Sequence, residues 1–265
     1  MSSPALLFTA FLAEVGLAAT MTAAWAIQRR TGNSGWIDAC WTLGVGTFGA
    51  LLSLGGDTGA PWRRVFVAAF AAIWALRLGG HIIARSTRAG DDARYRKLLD
   101  DWGAHASTRL FMFLQAQAAV GAGLVLSISL SARNPAPDLR VQDAFGLVLL
   151  AGALIGEAAA DRQLDRFKRD PANRGGVCDV GLWSRSRHPN YFFEFLVWLA
   201  YPIIAIDLSG AYWTGWIALL APSVMYWTLR YASGVPPLEE HMMRTRPTAF
   251  SAYSAKTPVF FPRIF

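Results

Sequence analysis

Long apolar stretches alternate with short polar ones along almost the whole chain. Runs near 5–27, 36–55, 62–84, 108–131, 141–160, 191–208 and 212–231 are each close to the ~20 residues that a helix needs to cross a bilayer. The pattern predicts an all-α integral membrane protein with seven transmembrane helices. The fifth run stops short of Asp161 and the sixth contains Pro202. A membrane helix tolerates such a proline when neighbours or water take up the freed carbonyl. The first run is too long for a signal-peptide core, lacks a basic leader and is followed by Arg29-Arg30, so it reads as a retained helix. No internal repeat or low-complexity linker interrupts the pattern, and residues 1–265 read as a single seven-helix domain.

Charge sets the orientation. Only 16% of the residues are charged, yet the net charge is +7. Leaving out Arg77 and Arg230, which lie within or at the end of runs, the 1–2, 3–4 and 5–6 loops and the tail carry 19 lysines and arginines, and the other three loops carry 4. By the positive-inside rule the N-terminus lies outside and the C-terminus is cytoplasmic. Basic composition therefore reports loop topology, and no stacking ribbon or zinc pattern supports nucleic-acid binding. The two cysteines, Cys40 and Cys178, suit neither a disulfide nor a metal site.

Ionisable residues within apolar sequence are expensive in lipid, so they mark candidate sites. Glu157, Asp161, Asp165 and Lys168 follow one helical face at spacings of three and four. Asp165 reads as part of a solvated helix end, whereas Glu157 lies deeper in apolar sequence. Next comes a basic, aromatic stretch with Arg174, Arg187, His188, Asn190 and Tyr191, leading into a helix that carries Glu194. Arginines present forked donors to phosphate, and a helix starting at Pro189 or Asn190 adds backbone donors. A phosphate-bearing cofactor fits this set; anionic-lipid binding accounts for the arginines but not for Glu194. Arg94 and Tyr95 in the 3–4 loop either contact a nucleotide or belong to a self-closing charged loop. Asp38, between Trp36 and Trp41, is either a proton donor or a structural partner of Arg77. In the tail, residues 238–243 predict a short surface helix, with Glu239 or Glu240 placed to bind a cofactor hydroxyl. No Gly-x-Gly-x-x-Gly stretch sits in a strand–helix context, so a Rossmann domain is not expected.

Taken in order, these residues form a recognisable series: Asp38 and Trp41, Trp74-x-x-Arg77-Leu78, Asp92-x-Arg94-Tyr95, Gln115, Glu157-x-x-x-Asp161-x-Gln163-Leu164, Gly181-Leu182-Trp183, Arg187-His188-Pro189-Asn190-Tyr191-Phe192-x-Glu194 and Ser233-Gly234-Val235-Pro236-x-Leu238-Glu239. The series resembles a bacterial membrane family related to the steroid 5α-reductases, and the resemblance covers nearly the whole chain. It implies a multi-pass protein of the bacterial inner membrane that binds NADPH from the cytoplasm, with loops 85–108 and 161–190 and tail 232–265 capping the cofactor. Asp161, Asn190 and Glu194 match the relatives' cofactor-contacting residues, and Arg94 and Tyr95 match them more loosely. Asp38 stands near the place of their catalytic glutamate, with Ile37 where they carry glutamine. Trp74 stands for a tyrosine that holds the substrate carbonyl, and Phe193 for a glycine.

The resemblance implies reduction of a carbon–carbon double bond conjugated to a carbonyl in a lipophilic steroid-, sterol- or isoprenoid-like substrate, with no metal. Asp38 and Trp74 would serve the substrate. Arg94, Tyr95, Glu157, Asp161, Lys168, Arg174, Arg187, His188, Asn190, Tyr191, Glu194 and Glu239 would serve the cofactor. The missing phenol and amide weigh against a 3-oxo-steroid. Arg187-His188-Pro189-x-Tyr191 and Leu238-Glu239-Glu240 also resemble the isoprenylcysteine carboxyl methyltransferases, which implies S-adenosylmethionine as the alternative cofactor.

Overall fold

The computed structural model describes residues 3–89 and 91–263, and among these it is helical with no strand. The helices are α1 (Ser3–Thr31), α2 (Gly35–Leu54), α3 (Pro61–Ala89), α4 (Ala93–Trp102), α5 (Ala106–Ala132), α6 (Val141–Arg169), α7 (Pro189–Ala205), α8 (Leu220–Trp227), α9 (Val235–Thr245) and α10 (Pro247–Lys256). Five of the predicted runs form helices long and apolar enough to cross a membrane: α1, α2, α3, α5 and α6. The other two form shorter pieces. α7 has 17 residues. The last run is divided into a 3₁₀ turn (Trp213–Leu219), α8 and a π turn (Thr228–Ala232).

The chain divides into two compact units. The first comprises Met1–Asp143 and Tyr201–Ala221, the second Ala144–Ala200 and Pro222–Phe265. In the first unit α2 packs against α1, α3 and α5. With no water between membrane helices to drive them together, close approach of small residues supplies the attraction. Gly46 shows the fit: a Cβ there would lie 2.1 Å from the Cβ of Ala75 on α3. Leu17, Met21, Val45, Leu114, Val125 and Ile128 fill the interior, while Leu7, Phe8 and Phe11 of α1 face outward, as lipid contact requires.

One end of this unit is closed by Arg63. Its five N–H donors go to the Asp143 carboxylate (3.0 and 2.8 Å) and to the carbonyls of Asn134, Ala136 and Asp138. Arg140 also holds Asp143, through its side chain and its backbone N–H. The last carbonyls of α7, Ile204 and Ala205, which have no partner within a helix, accept from the Arg140 guanidinium and the Asn134 amide, and Arg140 also reaches the carbonyl of Ile206 just beyond.

In the second unit the 3₁₀ turn Gly181–Ser184 is tied to α6. The Trp183 indole N–H donates to the Ala160 carbonyl at 3.0 Å, and the Leu182 N–H donates to Gln163 at 2.9 Å. Phe193 of α7 lies against Gly156 of α6, where any Cβ would meet its ring at 2.3 Å. The predicted tail helix is present as α9, and α10 follows it.

Candidate functional site

Each unit holds a polar cluster made of sequence-predicted residues. In the first, α2 begins under a clamp: Ser86 of α3 donates to the Gly35 carbonyl at 3.0 Å, and the Ser34 N–H donates to Asp91 at 2.8 Å. Asp92 then caps α4, accepting from the Arg94 N–H at 2.9 Å. This brings α4 over the start of α2. Arg94 pairs with Asp38 at 2.6 Å and with Asp92 at 2.9 Å, and the Tyr95 hydroxyl donates to Asp38 at 2.8 Å.

Gln117 of α5, which the sequence reading passed over, donates from Nε2 to the Tyr95 oxygen at 3.2 Å. Its signal was an amide in an apolar helix, two residues beyond the noted Gln115. The three predicted residues Asp38, Arg94 and Tyr95 are thus one constellation. Asp38 is the acceptor in it, and Tyr95 holds the proton between them. Burial works against ionising Asp92, but hydrogen bonds from Arg94 and the charge of Arg85 hold its carboxyl below the usual range. Trp74 lies buried in α3.

The second unit carries the remaining predicted residues. Glu157 is buried on α6, Asp161 is half-buried one turn on, and Lys168 and Arg174 are exposed. On α7, Asn190 and Tyr191 are half-buried, and Glu194 is buried, accepting from the Trp198 indole at 2.7 Å. Asn190 and Glu194 share a helix face. Tyr191 stacks on the His188 ring at 5.4 Å, nearly parallel.

Arg187 is turned into the protein. Nε and Nη2 reach the two Glu239 oxygens at 2.8 and 3.2 Å, and Nη1 donates to the Ser254 and Thr257 carbonyls. His188 Nε2 lies 3.1 Å from the same Glu239. Arg187, His188 and Glu239 therefore form a brace. Burial disfavours the Glu239 charge, yet hydrogen bonds from His188 and Arg187 outweigh it and hold the pKa below the ordinary value.

The chain's last residues complete this brace. The Arg187 N–H donates to Pro258 and the Arg263 N–H to Arg185, at 2.8 and 2.9 Å. Ser186, fully buried, donates to Phe260. Tyr253 donates to the Trp183 carbonyl at 2.6 Å, and burial raises its pKa. This pairing is not legible in the sequence, because the tail carries no patterned polar partner for residues 185–187.

No curated protein matches the chain, and no solved structure does. Residues 24–257 match the family described as Protein of unknown function (DUF1295), and over this series of helices and polar clusters the chain belongs to that family.

Proposed function

We propose that this protein is a membrane-embedded, NADPH-dependent reductase of a carbon–carbon double bond conjugated to a carbonyl in a lipophilic, steroid-, sterol- or isoprenoid-like substrate. On this reading it is related to the steroid 5α-reductases and crosses the bacterial inner membrane seven times, N-terminus outside and C-terminus cytoplasmic. The observation that carries it is the Asp38–Tyr95–Gln117 chain. A lipid-soluble enone needs one thing from the protein above all: a proton or hydrogen bond for the oxygen that gains charge. The Tyr95 Oη–H is such a group. It is buried, and Asp38, itself held by Arg94, fixes where it points. Tyr95 also supplies the phenol that is missing where Trp74 stands.

The second unit fits the cofactor. Asp161, Asn190 and Glu194 offer acceptors of the kind that take ribose hydroxyls and amides, and the exposed Lys168 and Arg174 suit phosphates. Arg187, His188 and Glu239 would support this set through the brace described above. When bound, the dinucleotide supplies the hydride. The protein's part is the proton: as negative charge gathers on the carbonyl oxygen, the Tyr95 hydroxyl would turn from Asp38 and give that oxygen its proton. The phenolate left behind keeps the Gln117 N–H and the nearby Arg94 charge. In ketonisation the phenolate takes the enol O–H proton back while a proton from water joins the α-carbon, which restores Tyr95 and completes the reduction.

A second reading, an S-adenosylmethionine-dependent methyltransferase of the isoprenylcysteine carboxyl methyltransferase type, is favoured by the contact of Arg187-His188-Pro189 with Glu239. Titration calorimetry of the purified protein in detergent separates the two. The reductase reading expects NADPH to bind, Glu194→Ala or Asn190→Ala to weaken it, and S-adenosylmethionine to give no heat. Binding of S-adenosylmethionine alone reverses the assignment. Tyr95→Phe is expected to keep NADPH binding and lower enone turnover by ~10²–10⁴.

A further inference from the structure

One polar atom in the first unit has no role in the chemistry above. Gln117 Oε1 is buried and accepts no hydrogen bond among the described residues. Its orientation follows from counting protons. The ion-paired Asp38 carboxylate can only accept, so the single Tyr95 hydrogen points to Asp38 and the phenol oxygen must accept from Gln117. Nε2 therefore faces Tyr95 and Oε1 faces away. The backbone around it is settled, since the Gln117 carbonyl accepts from the Trp41 indole at 2.9 Å. A buried amide oxygen left without a donor destabilises a fold, so such an atom calls for a partner.

We infer that Gln117 positions the polar head of the bound lipid, and that this head carries a hydrogen-bond donor, an enol or hydroxyl O–H, which Oε1 accepts. The nature of the head rests on the reductase reading. The residue as a whole is only half-buried, and the terminal amide torsion is broad and soft, so a modest turn of the amide opens Oε1 to a ligand while Nε2 stays near Tyr95. An enone offers acceptors only. Its enol, formed once hydride has been added, offers an O–H next to the same oxygen. Gln117 thus favours the reduced head over the starting one, and among substrates it favours those bearing a hydroxyl close to the carbonyl.

The test uses the full-length protein in detergent and two probes, 4-nonylphenol and its methyl ether, which share a tail and differ in the O–H. Titration without nucleotide is expected to show the phenol binding ~10-fold more tightly than the ether. Gln117→Met, of similar shape but without the amide, is expected to bring the two within about twofold by loosening the phenol alone. If that variant does not fold, Gln117→Asn, which draws the oxygen back by one methylene, serves the same comparison. Equal affinities in the native protein overturn the inference, and so does a preference that survives in the variant. NADPH titration of the same samples keeps the two readings apart. A phenol preference lost with Gln117 but no NADPH binding leaves Gln117 standing and removes the reductase. NADPH binding without a phenol preference does the reverse.

Discussion

Two ion pairs sit at opposite ends of the α2–α3 pair in the first unit, and they differ in nearly every respect. Arg63 and Asp143 are 1% and 0% exposed, and every guanidinium donor is used. Arg94 and Asp38 are 33% and 26% exposed, and the adjoining Gln117 keeps an oxygen in reserve. The first arrangement is closed: its partners are loop carbonyls and helix ends, and nothing is left to offer a ligand. The second holds a proton, a charge and an open amide together. A buried pair by itself is weak evidence for either stability or function. What separates the two is whether the hydrogen-bonding capacity is exhausted.

The largest effect should come from the closed end. Asp143→Ala leaves the buried Arg63 and the half-buried Arg140 without their carboxylate and is expected to destabilise the protein by ~3–5 kcal/mol, read as a fall in the denaturation midpoint in detergent. Arg94→Met at the open end should cost only about 1 kcal/mol, while hydrogen exchange in α4 accelerates. If the two substitutions cost the same, the contrast drawn between the ends is wrong.

Acid should act next, and locally. The Asp92 carboxyl is lowered in the folded protein, so its contribution is full above the ordinary carboxylate value of ~3.9. It disappears as pH falls through the lowered folded value. Hydrogen exchange across α4, followed from pH 5 downward, should show that helix loosening only below the ordinary value. Loosening already near pH 5 would point to another group. The smallest effect belongs to Arg85, half exposed and 3.5 Å from Asp92: Arg85→Ala should change stability by less than ~0.5 kcal/mol and less still in high salt.

The helices were legible in the sequence wherever apolar runs were long, and the start of α7 at Pro189 and the helix in the tail were read from residue type alone. α4 was not seen, since a ten-residue surface helix leaves no apolar run. Its sign was Asp92, an N-cap ahead of Arg94 and Tyr95. The seven-run reading ran past the irregular stretch 213–232 because hydropathy is blind to how a backbone is wound. Asp38, Arg94 and Tyr95 were each singled out, but for separate tasks; they are 56 and 57 residues apart, and no local periodicity joins them. Arg63 entered only as loop charge, for the same reason: its partners lie 71 to 80 residues away. Phe193 was legible only as standing where the relatives carry glycine, and the facing Gly156 that seats its ring came only from packing.

The strap formed by residues 254–263 sets a schedule for biogenesis. Residues 185–187 emerge from the ribosome long before the segment that pins them, so this stretch stays unfinished until residues 254–263 have followed, however early the preceding helices have entered the bilayer. A nascent chain stalled before residue 254 would carry the earlier helices yet have a loose 185–188 loop, and limited proteolysis of such stalled chains would cut there first.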